Sequence, residues 1–186
     1  NAPESYEPKF SYKGFEYVQI DGYDGELTKD DVVIYRVSND VEVLSEFESS
    51  NEMFNRLHQS MRVAMTDNFQ GEHCDPMLEK NGWLGDANVS LGSMMFTFDM
   101  PATLPGWIEV MEDCQEQYGL VPQMVPTANW GISNAAVWNT IFVYGVQDLE
   151  RYFGTGAYTE EQYDAMRQFC PARYPRGKPE QLGLAG

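Results

Sequence analysis

The hydrophobic pattern changes its period once, near Ser49, and that change restricts the chain to two halves of different architecture. Before it, Phe10 to Ile20 (FSYKGFEYVQI) is rich in aromatic and β-branched residues, with partial alternation through Phe15, Tyr17 and Val18-Gln19-Ile20. Asp21-Gly22-Tyr23-Asp24-Gly25 supplies turn residues. Val32 to Tyr35 and Val41 to Leu44 are two further short strands, parted by Ser38-Asn39-Asp40. A few short strands do not close a sandwich and leave open edges, so residues 1–48 read as the end of a larger β domain.

From Ser49 onward the spacing is helical. Ser49 and Glu52 fit a reciprocal N-terminal capping box, followed by an apolar face of Phe54, Leu57, Met61, Ala64 and Met65. A second helix is expected after Asp86, which can cap its start. A third runs from near Pro101 to Tyr118, with Leu104, Trp107, Ile108, Met111 and Cys114 on one stripe and Gly119 at its end. A fourth covers Asn134 to Phe153, and a fifth begins at Thr159, where Thr159 and Gln162 form another capping box. Pro171 then ends the helical pattern in the tail PARYPRGKP. Successive amphipathic helices joined by loops suggest paired helices around a barrel or bundle.

Charge narrows the partners. Twelve basic residues against 29 acidic ones give a formal charge of −17, a field that repels phosphate backbones and anionic lipid, so neither nucleic acid nor membrane is an expected partner. No apolar run approaches the roughly 20 residues of a spanning helix. The opening NAPESYEPKF has neither the basic nor the apolar region of a signal peptide, so none is expected within these residues. Cys74, Cys114 and Cys170 match no zinc spacing, and no phosphate loop is present, so no metal or cofactor is expected.

One segment stands apart. DPMLEKNGWLGDANV (Asp75 to Val89) sets the indole of Trp83 between the carboxylates of Glu79 and Asp86 at the mouth of a helix. A solvated helix corner with one buried tryptophan would account for it. So would a carbohydrate site, in which acids transfer protons and indole faces cover the apolar C–H surface of a sugar. A tryptophan close to Glu79 would raise its pKa by desolvation, and Asp86 would add like-charge repulsion. His73 in the same junction is a second proton acceptor to weigh against a structural histidine, while His58 reads as a helix-surface or packing residue. A further junction carries Asn129, Trp130 and Asn134. There Trp130, in a loop rich in Pro, Asn and Gly, is the better sugar platform, and Trp107 and Trp138 belong to the core.

The order of ESSNEMFNRLHQSM, LEKNGWLGDANV, FTFDMPATLPGWIEVMEDCQEQYGLVPQMVP and NWGISNAAVW resembles that of the bacterial α-L-rhamnosidases, a family of inverting glycoside hydrolases. FSYKGFEYVQIDGY resembles the β-sandwich strand that precedes their catalytic domain. The resemblance spans about Phe10 to Phe169 and is most specific in E-K-x-G-W-x-G-D. It implies an α+β multidomain fragment: the end of a β-sandwich in residues 1–48, then the first helical hairpins of an α/α toroid in residues 49–186. It also implies a rhamnose-containing oligo- or polysaccharide as substrate, with the remainder of the catalytic domain as partner, and favours a secreted or periplasmic protein.

Position by position, Glu79 matches the family's general acid, Trp83 the tryptophan lining the rhamnose subsite, and Asp86 an acid holding sugar hydroxyls. Asp75, His73, Trp130 and Asn134 complete the expected substrate contacts. The family pattern has an Asp shortly before its acid and then Pro-Gln-Arg; here those places hold His73, Cys74, Met77 and Leu78, with Asp75 displaced. Asn134 stands where the family commonly has an Asp, and no residue of the 186 matches the catalytic base. A lyase acting on rhamnose–uronate linkages, with His73 taking the C5 proton and Asn134 neutralising the uronate, is the alternative enzyme. A non-catalytic carbohydrate-binding remnant is the alternative outside catalysis.

Overall fold

In the computed structural model, the residues described are 5–9, 11–73, 79–115, 119–127, 135, 137–154 and 156–173, the last four by backbone alone. Helix α2 (Leu84–Thr97) lies at the centre and buries Leu84, Gly85, Ala87, Leu91, Met94, Met95 and Thr97. So many buried positions on one short helix mean that neighbours cover more than one of its faces. Helix α4 (Ile141–Phe153) packs along it, and α3 (Leu104–Asp113) and α5 (Ala157–Arg173) pack against α4.

The stripe read for the third helix is the face that α3 buries: Leu104, Trp107, Ile108 and Met111. From α4 come Ile141, Phe142, Val146 and Leu149, and Phe142 meets Phe169 of α5 edge-on at 5.9 Å between ring centroids. Each such side chain contributes about 1.5–3 kcal/mol on leaving water. Gly154, left-handed at φ 69, ends α4 and returns its N–H to the Glu150 carbonyl at 2.8 Å.

Several expected boundaries move. Helix α1 (Glu52–Asp67) is capped by Asn51, whose side chain accepts from the Met53 N–H, and not by a Ser49–Glu52 box. Ser49 is instead tied to Asn55, its N–H donating to Oδ1 at 2.8 Å. The Ser49 hydroxyl is engaged locally, accepting from the Asn51 N–H at 3.2 Å and donating to the Asn51 carbonyl at 3.1 Å, rather than capping the helix. Asp86 sits inside the first turn of α2, behind Trp83 at the N-cap, and makes no cap bond. The third helix stops at Asp113, well short of Tyr118. Turn residues 137–140 precede α4, which starts at Ile141. Thr159 lies inside α5 and donates to the Glu150 carboxylate at 2.6 Å, so it caps nothing. That helix also runs on past Pro171 to Arg173. Proline there removes one backbone donor close to a helix end, which the last turn tolerates.

The apolar face of α1 is largely uncovered: Phe54, Leu57 and Met61 are exposed, and only Met65 packs on the core from partial burial. His58 rests against the Phe47 ring at 5.0 Å, the packing role expected of it.

The largest correction concerns the first half. Among the described residues before α1 there is no β-ladder; a short 3-10 turn at Lys29–Asp31 and one bridge, Val43 to Phe98, are the regular features. Strand-forming residues need a neighbouring strand for their backbone N–H and C=O groups, and the described residues offer none. Val41 to Leu44 comes nearest to its expected role, running antiparallel to the end of α2 with Leu44 N–H on the Thr97 carbonyl (2.8 Å) and Asp99 N–H on the Glu42 carbonyl (2.9 Å). The strands that do form were not expected: β1 (Phe69–Gln70) and β2 (Glu72–His73), an antiparallel pair turning at Gly71, φ 98. Among the described residues no helix is long and apolar enough to cross a membrane.

Candidate functional site

The turn that carries Glu79 is fixed from two sides. On one side, residues 82–84 run antiparallel to 123–125: Val125 N–H donates to the Gly82 carbonyl (2.9 Å) and Leu84 N–H to the Gln123 carbonyl (3.0 Å), with Trp83 bridged to Met124. The Val125 carbonyl is itself held by the buried indole N–H of Trp107 at 3.0 Å. Glycine is required at 82 because a Cβ there would lie 1.9 Å from that carbonyl oxygen. On the other side, the indole of Trp138 lies over Gly85, where a Cβ would be 2.4 Å from Cδ2. The two glycines of G-W-x-G thus serve close approach, one to backbone and one to a ring.

Within this frame Trp83 donates its indole N–H to Glu79 Oε2 at 2.7 Å. Its ring meets Trp138 edge-on, with centroids 5.3 Å apart and planes at 86°. Trp138 is held there by Asn88 of α2, whose amide donates to the Val137 carbonyl (2.9 Å) and to Thr140 Oγ1 (3.3 Å). The buried Asn139 next to it donates to the Val121 carbonyl. Trp107 is a core residue as expected, but Trp138 is not: it is 37% exposed and forms an aromatic step with Trp83. No sequence period could show this, since the indole is brought to Trp83 by the α2–α4 contact. The small residue at Gly85 was the available signal.

Glu79 and Asp86 are both exposed, so among the described residues no enclosure removes water from the Glu79 carboxyl as the sequence reading expected. Asp75, Trp130 and Asn134 lie outside the described residues.

His73 is buried at 4% exposure on β2, with Nε2 3.1 Å from Ser90 Oγ and, among the described residues, no hydrogen-bond partner for Nδ1. Burial holds its pKa below the ordinary imidazole value, with Asp86 pulling weakly the other way. The unfolded chain therefore takes up a proton before the folded one does. The stability that the neutral ring contributes is present above about pH 6.5 and is lost as pH falls toward the depressed folded value.

Glu72, opposite Gln70 in the hairpin, has its pKa raised by desolvation. Its sign is opposite to that of His73: the protonated form is favoured on folding, and stability is lost as pH rises through the folded pKa. Glu72→Gln is accordingly expected to raise the unfolding midpoint at pH 7, with the gain vanishing near pH 4. Equal midpoints for variant and wild type at pH 7 would contradict this.

Comparison with known proteins fits this geometry. The model of the bacterial alpha-L-rhamnosidase six-hairpin glycosidase domain matches residues 42–183, and that of the family's concanavalin-like domain matches residues 1–38. The chain belongs to the bacterial alpha-L-rhamnosidase family. An alpha-L-rhamnosidase of Formosa agariphila is 31% identical over 179 residues, which cover 88% of this chain and 18% of that protein. The chain thus spans under a fifth of the length of that relative. The crystal structure of the alpha-L-rhamnosidase from Aspergillus terreus superposes with a TM-score of 0.79 at 29% identity, covering 88% of this chain and 20% of that one. The Streptomyces avermitilis enzyme, solved with L-rhamnose, has the same fold here at a TM-score of 0.72 and 21% identity, over 76% of this chain and 14% of that one. The five helices among the described residues are therefore part of a six-hairpin α/α toroid, as the rhamnosidase resemblance implied.

Proposed function

We propose that this chain carries the acid half of an inverting α-L-rhamnosidase site, with Glu79 as the general acid. The observation that supports the reading is the 2.7 Å bond from Trp83 Nε1 to Glu79 Oε2 in a turn locked by Gly82 and Gly85, within a chain of the rhamnosidase family. One carboxyl oxygen is held by the indole and the other is left to face a leaving group. In inversion the acid protonates the departing glycosidic oxygen while a second carboxylate, about 6.5–9.5 Å away, activates water on the opposite face.

Trp83 and Trp138 offer a right-angled aromatic step for the C–H face of the sugar. Asp86, one helical turn from this step, is placed to accept from sugar hydroxyls, and Asp75, Trp130 and Asn134 would add further contacts. Rhamnose, with its C6 methyl, suits so apolar a wall, and the Streptomyces avermitilis relative is complexed with L-rhamnose. Residues 1–48 would belong to the sandwich and 49–186 to the toroid, and the opposing base would come from the remainder of that catalytic domain.

The lyase reading gains nothing from His73, whose Nδ1 is buried and whose Nε2 is engaged by Ser90. A group that must take a C5 proton has to reach substrate. Because no carboxylate of the 186 residues is assigned as base, the chain alone is expected to release no rhamnose from aryl α-L-rhamnosides while the full-length protein does. Turnover by the isolated 186 residues would contradict that. Binding of rhamnose by a full-length protein that cleaves no glycan would favour the non-catalytic remnant.

A further inference from the structure

Lys80 directly follows Glu79 and has a left-handed backbone, φ 55, alone among the described non-glycine residues. Lysine has no short side-chain acceptor with which to stabilise that conformation locally, as Asn and Asp do. A contact distant in sequence can hold it, and one is present. The Lys80 ammonium donates to the Tyr12 carbonyl and stands 4.4 Å from the centroid of the Tyr12 ring. Both attractions come from the N-terminal segment, 68 positions earlier in the chain. A carbonyl and a ring face together hold an ammonium more firmly than either alone.

We infer that Lys80 is a positioning residue: its tether to Tyr12 keeps residue 80 left-handed and so sets the direction in which Glu79 leaves the turn. Trp83 fixes the far end of the Glu79 side chain, and Lys80 fixes the backbone from which it departs. Without the tether, residue 80 relaxes toward the ordinary right-handed or extended regions, and a change of that size at one residue redirects its neighbour. The segment before α1, which contributes little to the helical core, thereby acquires a role at the acid. The part of this inference concerning turnover rests on the hydrolase reading above; the part concerning the turn does not.

The test measures amide hydrogen exchange and kinetics on the full-length protein carrying Lys80→Met, Lys80→Arg or Tyr12→Leu. Lys80→Met keeps the length of the side chain but removes charge and donor. It is expected to speed exchange of residues 79–84 roughly tenfold, with α4 unchanged. Lys80→Arg, which keeps both interactions, should stay within about threefold of wild type, and Tyr12→Leu, which loses only the ring, should fall between. On a rhamnoside substrate, Lys80→Met should lower kcat roughly tenfold while KM moves less than about twofold, because the acid is misplaced and the sugar contacts remain. Unchanged exchange at 79–84 in both Lys80→Met and Tyr12→Leu would overturn the inference, as would acceleration spread evenly through α2 and α4. If wild type cleaves no rhamnoside, the hydrolase reading fails, and the exchange data still decide the tether.

Discussion

Replacing Glu79 by Gln in the full-length protein is expected to lower kcat about 10²–10⁴-fold on α-L-rhamnosides whose aglycone is another sugar or an alkyl alcohol. Such leaving groups depart as poor anions unless protonated in the transition state. Glutamine keeps the shape and still offers an oxygen to the Trp83 indole, now 2.7 Å from Glu79 Oε2. The turn should therefore survive, so that KM changes little and the loss falls on kcat. That pattern separates a missing proton donor from a damaged subsite. A variant retaining wild-type kcat on these substrates would remove Glu79 from the mechanism.

Gly82→Ala should have the largest effect on stability, costing about 2–6 kcal/mol. The added Cβ would lie 1.9 Å from the Val125 carbonyl oxygen, which is backbone and has no rotamer through which to withdraw. That oxygen also accepts from Trp107 Nε1 at 3.0 Å, and Val125 N–H donates to the Gly82 carbonyl at 2.9 Å. Separating the two segments strains both bonds and shifts a core tryptophan. Overpacking costs about 1–3 kcal/mol, and a buried donor left unpaired about 1–3 more. Gly92→Ala in α2 is the control: nothing lies within 4 Å of its Cβ position and its φ is not positive, so helix propensity alone should make it neutral or slightly stabilising. Urea unfolding of the two variants decides the matter, and a Gly82→Ala midpoint equal to that of wild type would contradict the close approach.

How far the chain's own letters revealed this architecture varies with the range of the forces involved. The stripe Leu104, Trp107, Ile108, Met111 could be read directly, because a helix satisfies its own backbone and its burial repeats every turn. The strands of the first half could not, because a ladder takes half of its hydrogen bonds from another segment; Val41 to Leu44 found the end of α2 and the rest found no ladder. Capping was legible in kind but not in position: Asn51 takes the Met53 N–H, while Ser49 is tied to Asn55, its N–H donating to Oδ1 and its carbonyl accepting from Nδ2.

At the candidate site, Glu79 and Trp83 could be paired from their spacing of four, which puts them within reach across a tight turn. Trp138 could not be added, because it arrives from 55 positions downstream. His73 was visible as a titratable group in a polar loop, yet the Phe69–His73 pairing turns it inward onto Ser90. Glu72, adjacent in sequence, takes the half-buried place that the reading had assigned to Glu79.

The central claim, that Glu79 supplies the proton to the leaving oxygen, is tested most directly by varying the leaving group. Wild-type and Glu79→Gln full-length proteins would be compared on a series of aryl α-L-rhamnosides whose phenols differ in acidity. If Glu79 is the donor, the variant approaches wild-type kcat on the most acidic phenol and falls steadily behind as the phenol becomes more basic. If the ratio of the two rates stays constant along the series, protonation of the departing oxygen does not pass through Glu79.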